Sequence, residues 1–347
     1  MSEFTCPVPG GSGQGRITLA HGEGGRLTRQ LIQRRIRSRF ANQFLEPLGD
    51  AAVLPPLLGS PVFTTDSYVV SPLFFPGGDI GRLAIFGTVN DLAVSGARPC
   101  WISLALILEE GLAEDELDRV LASVRHAADE AGVAVVTGDT KVVPRGAADR
   151  LFVTTAGLGE RLTPALEGPA QLAVGDCLLV TGPVGRHGMA ILAARERLGI
   201  EPSPVSDCSS LWPAVAALWQ AGVPVRALRD ATRGGLAAVL QEWAEASGHT
   251  LLLDGDAVPL TPEVRGLSEL LGIDPVHVAC EGTMVVAVAA EHLDEALRVL
   301  RTVPVASETC RVGQVVPRGA APVTIRRPPG RPQPLDEPLG APLPRIC

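Results

Sequence analysis

The order of apolar segments limits this chain to folds that combine helices with sheets. Apolar runs of strand length, such as residues 101–108 and 284–290, alternate with segments whose apolar residues recur at helical spacing, as in residues 113–131. Chains with this alternation bury sheets against helices. We therefore predict a mixed α and β (α+β) fold, and the pattern leaves open whether the strands run parallel.

Length and composition predict two domains. The chain has 347 residues, of which 46% are apolar, and this is enough for two ordinary cores. A segment with proline and glycine at residues 162–175 reads as the boundary. We expect a floppy extension over residues 1–16, an N-terminal domain over residues 17–160, a C-terminal α/β domain over residues 161–316 and a proline-rich arm over residues 317–347.

The local pattern also predicts individual elements. In the first half the predicted helices are at residues 25–40, 79–96 and 113–131. One predicted strand ends at residue 67, and three others cover residues 101–108, 133–137 and 151–158. In the second half the predicted elements are strands at residues 177–181, 251–253, 284–289 and 311–316, and helices at residues 188–198, 209–221, 263–271 and 293–301, with another helix ending at residue 246. We expect residues 229–235 to form a loop.

The C-terminal arm ends in a cysteine. Nine prolines lie among the last 31 residues, and the final residue is Cys347. Proline fixes φ and lacks a backbone donor, so we expect the arm to stay extended and solvated, outside any helix or sheet. A thiol at the end of such an arm suggests a carrier; a disordered tail with an incidental cysteine is the alternative.

Charge and cysteine content exclude several classes of protein. The net charge is −8 without a basic block, which argues against nucleic acid and anionic membranes as main partners. No apolar run approaches the roughly 18 residues of a membrane span, and residues 1–16 lack the apolar centre of a signal peptide. The seven scattered cysteines form no CxxC motif, so we expect a reducing, cytoplasmic setting.

Acidic loops follow or precede several strand-like runs. Each aspartate alone is compatible with ordinary turn chemistry. Together they suggest that several carboxylates converge and that a cation neutralises their charge. Magnesium is the natural choice, because it prefers oxygen ligands and often binds substrate phosphates. A nucleotide is then the expected owner of the phosphates. The residues concerned are Asp50, Asp66, Asn90, Asp91, Asp139, Thr140 and Asp230.

A P-loop is excluded, so phosphate contacts must come from other segments. No GxxxxGK[ST] motif occurs, since Lys141 is followed by Val142. One candidate is the glycine-rich turn with Gly22, Gly24 and Gly25, which enters a helix and so offers free backbone amides; a plain helix-entry turn is the alternative. The turn at Arg233 is a second candidate.

Two further charged residues stand out. Lys141 is the single lysine among thirty basic residues. Its ammonium is a compact, strongly hydrated point charge, which the planar guanidinium of arginine cannot replace. The alternative is that the single lysine lies there by chance. Glu281 directly precedes an apolar strand-like run. It is either an exposed turn residue or, if buried, a base with a raised pKa.

These motifs together resemble the HypE family of hydrogenase maturation proteins. The resemblance rests on the segments HGEGG, GDAAV, TTDSY, FGTVNDLAVSGA, ILEEGL, TGDTKVV, SDC, RDATRGG and CEG and on the terminal PRIC, and it covers about residues 17–347. The family is part of a superfamily with aminoimidazole ribonucleotide synthetase, selenophosphate synthetase and thiamine-monophosphate kinase. Cys280 departs from the family pattern, which has asparagine there.

The resemblance implies an activity and a set of partners. It implies a homodimer in which the N-terminal sheets pair into a barrel, with ATP in a cleft beside the interface. The implied reaction is ATP-dependent dehydration of a carbamoyl group on Cys347 to a thiocyanate. The carbamoyl group would arrive from the carbamoyltransferase HypF, and the cyanide would pass to iron on the HypC–HypD scaffold complex.

The resemblance also implies roles for the residues named above. Lys141 would offset charge on the transferring phosphoryl group, Glu281 would act as the base, and Cys347 would carry the substrate. A small-molecule kinase or synthetase of the same superfamily is an alternative that leaves Cys347 unused, and a scaffold protein is an alternative that leaves the aspartates unused. Magnesium and triphosphate would be held by Asp50, Asp66, Asp91, Asp139 and Asp230, with nucleotide contacts from Gly22, Gly24, Gly25, Asn90, Thr140 and Arg233.

Overall fold

A computed structural model describes residues 15–47, 49, 51–327, 330–336 and 346–347. Most of the predicted extension and Asp50 lie outside the described residues, as does most of the last part of the predicted arm. Among the described residues no helix is long and apolar enough to cross a membrane. The cysteines described are all free thiols.

The first half contains a four-stranded sheet covered by helices. Asp79 caps the main helix, α3 (Ile80–Val94), by accepting hydrogen bonds from the backbone N–H groups of Gly81 (2.8 Å) and Arg82 (3.1 Å). Helix α4 (Glu114–Ala131) begins with three acidic residues and is capped at its C-terminus by Gly132, which has a left-handed φ of 69°. The elements are α1 (Arg26–Leu31), a π-helical stretch (Ile32–Arg37), α2 (Ser38–Phe40), β1 (Pro61–Tyr68), β2 (Phe74–Phe75), β3 (Gly78–Asp79), α3 (Ile80–Val94), β4 (Ala97–Glu109), α4 (Glu114–Ala131), β5 (Ala134–Val143) and β6 (Leu151–Arg161).

The strands of this sheet follow the order β1-β6-β4-β5. The β4/β5 pair is parallel and the other two pairs are antiparallel. Helix α3 packs on one face, and α4 packs on α3. On the opposite face apolar side chains lie open, since Phe63 is 69% exposed and Ile107 is 37% exposed. One face of the sheet is therefore buried, and the other lacks a cover within the part of the chain that the structure describes.

The second half is built around a seven-stranded sheet in the order β13-β12-β9-β11-β7-β10-β8. Separate apolar clusters cover its two faces, which explains why every residue of the inner strand β10 (Met284–Val288) is buried. The elements are β7 (Cys177–Val180), α5 (Arg186–Glu196), α6 (Trp212–Gln220), β8 (Ala227–Asp230), α7 (Gly235–Ser247), β9 (Thr250–Asp254), α8 (Pro262–Leu271), β10 (Met284–Val288), α9 (Leu293–Leu300), β11 (Cys310–Val316), β12 (Val323–Arg326) and β13 (Gln333–Pro334).

The predicted mixed α and β class is confirmed, and most helices lie within a few residues of their predicted bounds. Two predictions about the second half are wrong. The predicted loop at residues 229–235 contains the end of strand β8, which pairs with β10. The prediction that residues after 316 join no sheet also fails, because β12 pairs in parallel with β9.

The proline-free stretch Val323–Arg326 explains this second error. Its side chains alternate between buried and exposed positions, as in a strand on the side of a sheet, and Val323 and Ile325 enter the core. Proline therefore bounds the strand without interrupting it. The end of the arm is not solvated either, since Ile346 is only 5% exposed. The sheet of the C-terminal half thus extends beyond residue 316.

Candidate active site

Four of the predicted site residues lie close enough to act on one another electrostatically. Asp66 comes from β1, Asp91 from α3, Asp230 from the end of β8, and Glu281 from the loop before β10. The carboxylate of Asp91 accepts a hydrogen bond from Thr64 Oγ1 at 2.9 Å. Burial, followed by the charge of Asp66, raises the pKa of Asp91. Of the five aspartates predicted to converge, the structure brings Asp66, Asp91 and Asp230 together, and Glu281 lies with them.

Two of these carboxylates are strongly perturbed. Burial, followed by the charge of Asp91, raises the pKa of Asp230 to about 7. Glu281 is 3% exposed. Burial raises its pKa well above the ordinary value, and the charges of Asp230 and Asp207 raise it further. Negative charge in this cluster is therefore costly unless a cation or another positive group is present.

Asp207 holds the backbone of the Glu281 loop. Its Oδ1 accepts from the N–H of Glu281 (3.0 Å), and its Oδ2 accepts from the N–H of Gly282 (3.0 Å) and the hydroxyl of Thr283 (3.1 Å). Only glycine fits at residue 282, because a β-carbon there would lie 1.9 Å from the backbone oxygen of Asp207. Sequence reasoning noted the SDC segment but gave Asp207 no role; its only signal was the resemblance.

Asn90 connects the two halves of the chain. Its Nδ2 donates to the carbonyls of Ser209 (3.0 Å) and Glu281 (3.2 Å), and its Oδ1 accepts from the N–H of Leu211 (2.7 Å). Both side-chain N–H groups are thus used on backbone. The predicted contact between Asn90 and a nucleotide would require these bonds to break, so the structure places Asn90 in a supporting position.

The terminal cysteine lies at the carboxylate cluster. Burial raises the pKa of the Cys347 thiol to about 12, Glu281 and Asp66 raise it as well, and Arg233 lowers it. The N–H of Val69, which follows strand β1, donates to Cys347 O at 3.1 Å. The Cys347 thiol and Glu281, the predicted base, are therefore close to each other in a single chain. Arg233 itself is exposed, in the turn between β8 and α7.

His187 is a second residue that sequence reasoning missed. It is fully buried near the start of α5, and its Nε2 lies 2.6 Å from the carbonyl oxygen of Ile346. Its Nδ1 lies 2.8 Å from Ser206 Oγ. A lone histidine before a helical segment gives no signal of such contacts, because its partners are 19 and 159 residues away.

Cys280 is directed into the core. Its Sγ accepts a hydrogen bond from the N–H of Gly185 at 3.1 Å, and burial raises its pKa well above the ordinary value. Asp207 holds the backbone of Glu281. The departure from asparagine at residue 280 thus leaves the support of Glu281 in place.

Five other predicted site residues line a separate cleft of about 830 Å³ beside β5. Lys141 Nζ lies 3.2 Å from Asp139 Oδ2 on the rim of this cleft. The N–H of Gly24 donates to Thr28 Oγ1 at 3.0 Å. Gly25 caps the N-terminus of α1 next to it. The rim carries Gly22, Gly24, Asp139, Thr140 and Lys141, and the interior is apolar, with Ile32, Ile36, Leu104 and Leu106.

The two sites lie on opposite edges of the four-stranded sheet. Asp66 is in register with Thr155, then Leu104, then Gly138, the residue before Asp139. Three strand spacings amount to about 14 Å. The expected meeting of Asp139 and Lys141 with the other carboxylates therefore does not occur within one chain. Among the residues described, no three acidic, histidine or cysteine side chains lie close enough to hold a metal ion by themselves.

Comparison with known proteins identifies the family. Models of AIR synthase related proteins match twice, the N-terminal domain at residues 48–161 and the C-terminal domain at residues 173–325. The carbamoyl dehydratase HypE of Rhodobacter capsulatus is 46% identical over 337 residues, which cover 96% of this chain and 98% of that protein.

Solved structures agree with this result. A crystal structure of the hydrogenase maturation protein HypE in complex with ATP has a TM-score of 0.89 at 43% identity and covers 95% of this chain and 99% of that one. A chain from a crystal structure of a HypE–HypF complex has a TM-score of 0.78 at 38% identity. The match covers 89% of this chain and 99% of that one. The resemblance inferred from the motifs is confirmed, and the chain belongs to the HypE family within the AIR synthase related proteins.

Proposed function

We propose that this chain uses ATP to dehydrate a carbamoyl group on its own Cys347, leaving a thiocyanate that supplies cyanide for nickel-iron hydrogenase maturation. The position of Cys347 beside Glu281 carries the proposal. The names of its relatives, carbamoyl dehydratases, agree with it. A docked Cys347 also occupies the place next to the base that a free acceptor would need, which disfavours a small-molecule kinase or synthetase.

The chemistry requires activation of a poor leaving group. The carbamoyl oxygen attacks the γ-phosphorus of ATP, the bond to ADP breaks, and one N–H proton is lost. The O-phosphorylated intermediate then loses its second N–H proton, its C–O bond breaks, and phosphate departs to leave S–C≡N. A base near the nitrogen is needed in both steps.

Glu281 is suited to the role of base. Its raised pKa makes the ionised form a stronger base than an ordinary carboxylate. The three hydrogen bonds from its loop to Asp207 fix the backbone that carries it. Asp207 thus acts as a positioning residue, since its carboxylate is occupied by these bonds.

The cleft beside β5 is suited to a nucleotide. Its apolar interior would receive the adenine, and its rim would place the phosphates near Lys141. The amides of Gly22 and Gly24 already donate within the chain. Lys141 would stabilise charge on the transferring phosphoryl group. The ATP complex of a similar chain supports this assignment.

The carboxylates fit a magnesium ion that is held jointly with phosphate. In addition to burial, the charge of Asp66 raises the pKa of Asp91, and the charges of Asp91 and Asp66 raise that of Asp230, which a cation would relieve. Magnesium commonly uses one or two carboxylates together with phosphate and water, so an all-protein cage is not needed. Bound there, it would neutralise charge on the triphosphate. Asp50 and Asp139 remain predicted ligands, the first outside the described residues.

Dimerisation would join the two sites. The exposed face of the four-stranded sheet, with Phe63 and Ile107, suits pairing with a second copy. If the two sheets close into a barrel with β5 of one copy beside β1 of the other, Lys141 of the partner subunit comes next to Asp66. Such a dimer would place the nucleotide of one copy at the arm of the other.

Docking of the arm also suggests how the partners take part. A thiol with a pKa of about 12 is almost entirely protonated at neutral pH and is a poor acceptor of a carbamoyl group. Cys347 would therefore leave the cluster to be loaded by HypF, which occurs in a complex with a similar chain. It would leave again to deliver cyanide to the HypC–HypD complex.

Intact-mass analysis tests the activity. Carbamoylated protein incubated with ATP is expected to lose one water, and fragmentation should place the loss on Cys347. Cys347→Ala is the matched control, since it should fold and bind ATP but show no loss. If the carbamoylated protein consumed ATP without losing water from the C-terminus, the dehydration would be ruled out.

A further inference from the structure

The docked end of the arm is held by residues that have no part in the proposed chemistry. The Ile346 carbonyl lies 2.6 Å from His187 Nε2, and Cys347 O accepts from the N–H of Val69 at 3.1 Å. The Ile346 side chain is buried in the core. The hydrogen bond to the Ile346 carbonyl precedes the α-carbon of Cys347 in the chain, and the hydrogen bond to Cys347 O follows it. Cys347 is therefore held on both sides of its α-carbon.

The hydrogen bonds around His187 define the state of its ring. Ser206 Oγ accepts from the N–H of Cys208 at 3.1 Å and lies 2.8 Å from His187 Nδ1. The carbonyl of Ile346 can only accept, so Nε2 is the donor of the ring and Nδ1 accepts from the hydroxyl of Ser206. Burial lowers the pKa of His187, and the neutral ring carries its proton on Nε2. The donor of the ring therefore faces the Ile346 carbonyl.

Departure of the arm would leave this donor without its acceptor. His187 is completely buried, with the ring of Phe75 edge-on at a centroid distance of 5.4 Å. The bond from its Nε2 to Ile346 is made only when the arm is docked, and such a bond contributes about 0.5–1.5 kcal/mol. The contact consequently favours the docked position over the withdrawn one.

We propose that His187 and Ser206 form a receptor for the C-terminal Ile346–Cys347 segment, with His187 as a positioning residue that sets the fraction of arms docked. This inference deepens the proposed function and rests on it, since the arm carries the substrate. Ser206 is also the neighbour of Asp207, which holds the Glu281 loop. One short segment thus positions both the substrate and the base.

The accessibility of Cys347 measures docking directly. Protein is pulsed with iodoacetamide, quenched, and cleaved before aspartate, which releases a peptide that begins at Asp336 and contains Cys347. A docked thiol reacts slowly, so the labelling rate follows the withdrawn fraction. The assay needs neither ATP nor a carbamoyl group.

Two substitutions of His187 distinguish the role of Nδ1 from that of Nε2. His187→Asn retains a polar group near the Nδ1 position and loses the donor to the arm, so Cys347 should be labelled up to roughly tenfold faster. His187→Gln places an amide N–H near the Nε2 position and should remain close to the wild-type rate. Rescue by glutamine but not asparagine is not expected from a role in packing alone.

Ser206→Ala provides an independent test, because Ser206 makes its bond to the histidine and not to the arm. Without the hydroxyl, Nδ1 loses the donor that fixes the orientation of the ring, so the bond from Nε2 to the Ile346 carbonyl is held less firmly. Cys347 should again be labelled faster. If His187→Asn fails to fold, seen as labelling of the buried Cys177, Ser206→Ala decides the question.

Wild-type labelling rates in folded Ser206→Ala and His187→Asn proteins would overturn the proposal. Failure of the proposed function has a different signature. If Cys347 labelling responds to these substitutions as expected but carbamoylated protein never loses water, the receptor exists and the chemistry assigned to it is wrong.

Discussion

A mixed dimer tests whether two copies of the chain share each site. One copy carries Lys141→Ala and the other Glu281→Gln, with different N-terminal tags so that the C-terminus stays free. Asp66 and Asp139 are about 14 Å apart across the sheet, so we expect Lys141 to serve the arm of the partner subunit. One of the two sites in the mixed dimer then has both an intact lysine and an intact glutamate.

The expected magnitude follows from twofold symmetry. Tandem purification of the mixed dimer, carbamoylation and a single turnover with ATP should convert about half of the arms. The two chains differ in mass, and the converted Cys347 should be on the chain that lacks its own lysine. Each variant alone should convert almost none.

Two results would refute this reasoning. If Lys141 served the arm of its own chain, both sites of the mixed dimer would be defective and no arm would be converted. Conversion on the Glu281→Gln chain would show that Glu281 acts on the neighbouring arm, against the position of Cys347 in the structure.

Three further predictions concern single residues. Lys141→Arg should remain folded and bind ATP but lose most dehydration in a single-turnover assay, since a displacement of about 1 Å can cost roughly a hundredfold in rate; a wild-type rate would remove the proposed role. Asp207→Asn places an amide group opposite a backbone N–H, so chemical denaturation should show a loss of about 2–3 kcal/mol, and an unchanged midpoint would contradict the bonding described. Burial raises the pKa of Asp230 in the folded protein to about 7. The folded state therefore holds this proton more tightly than the unfolded state, and the stability that this contributes is present at acid pH and lost as pH rises through that value. Asp230→Asn should therefore be more stable than wild type by up to a few kcal/mol in nucleotide-free protein near pH 8, with the difference vanishing toward pH 4; equal stability at both pH values would argue against the buried charge.

The fold class could be predicted from the sequence because the spacing of apolar residues indicates which face of each helix or strand is buried. Strand β12 was missed because proline density dominated the reading of the arm, although Val323–Arg326 has strand alternation and contains no proline. Strand β5 also extends through Val143, so Asp139 and Lys141 lie in a strand where the sequence indicated a loop.

The site was accessible in part for a similar reason. Sequence patterns find the ends of strands but not their order in a sheet, so Asp139 could not be separated from Asp66 before the order β1-β6-β4-β5 was known. His187 and Asp207 act through partners distant in sequence, and nothing in their local segments distinguishes them from ordinary buried polar residues.

Pairing of β12 and β13 with the sheet shortens the free part of the arm. Cys347 is thirteen residues after Pro334, so the thiol can move roughly 40 Å from that anchor in an extended, proline-rich chain. A tether this short presents the substrate at an effective concentration in the millimolar range, and the reaction should be independent of protein concentration above that needed for dimers. Proteins that load or unload the thiol must bring their own reactive centres within that radius, so the length of the tether limits how such assemblies can be arranged.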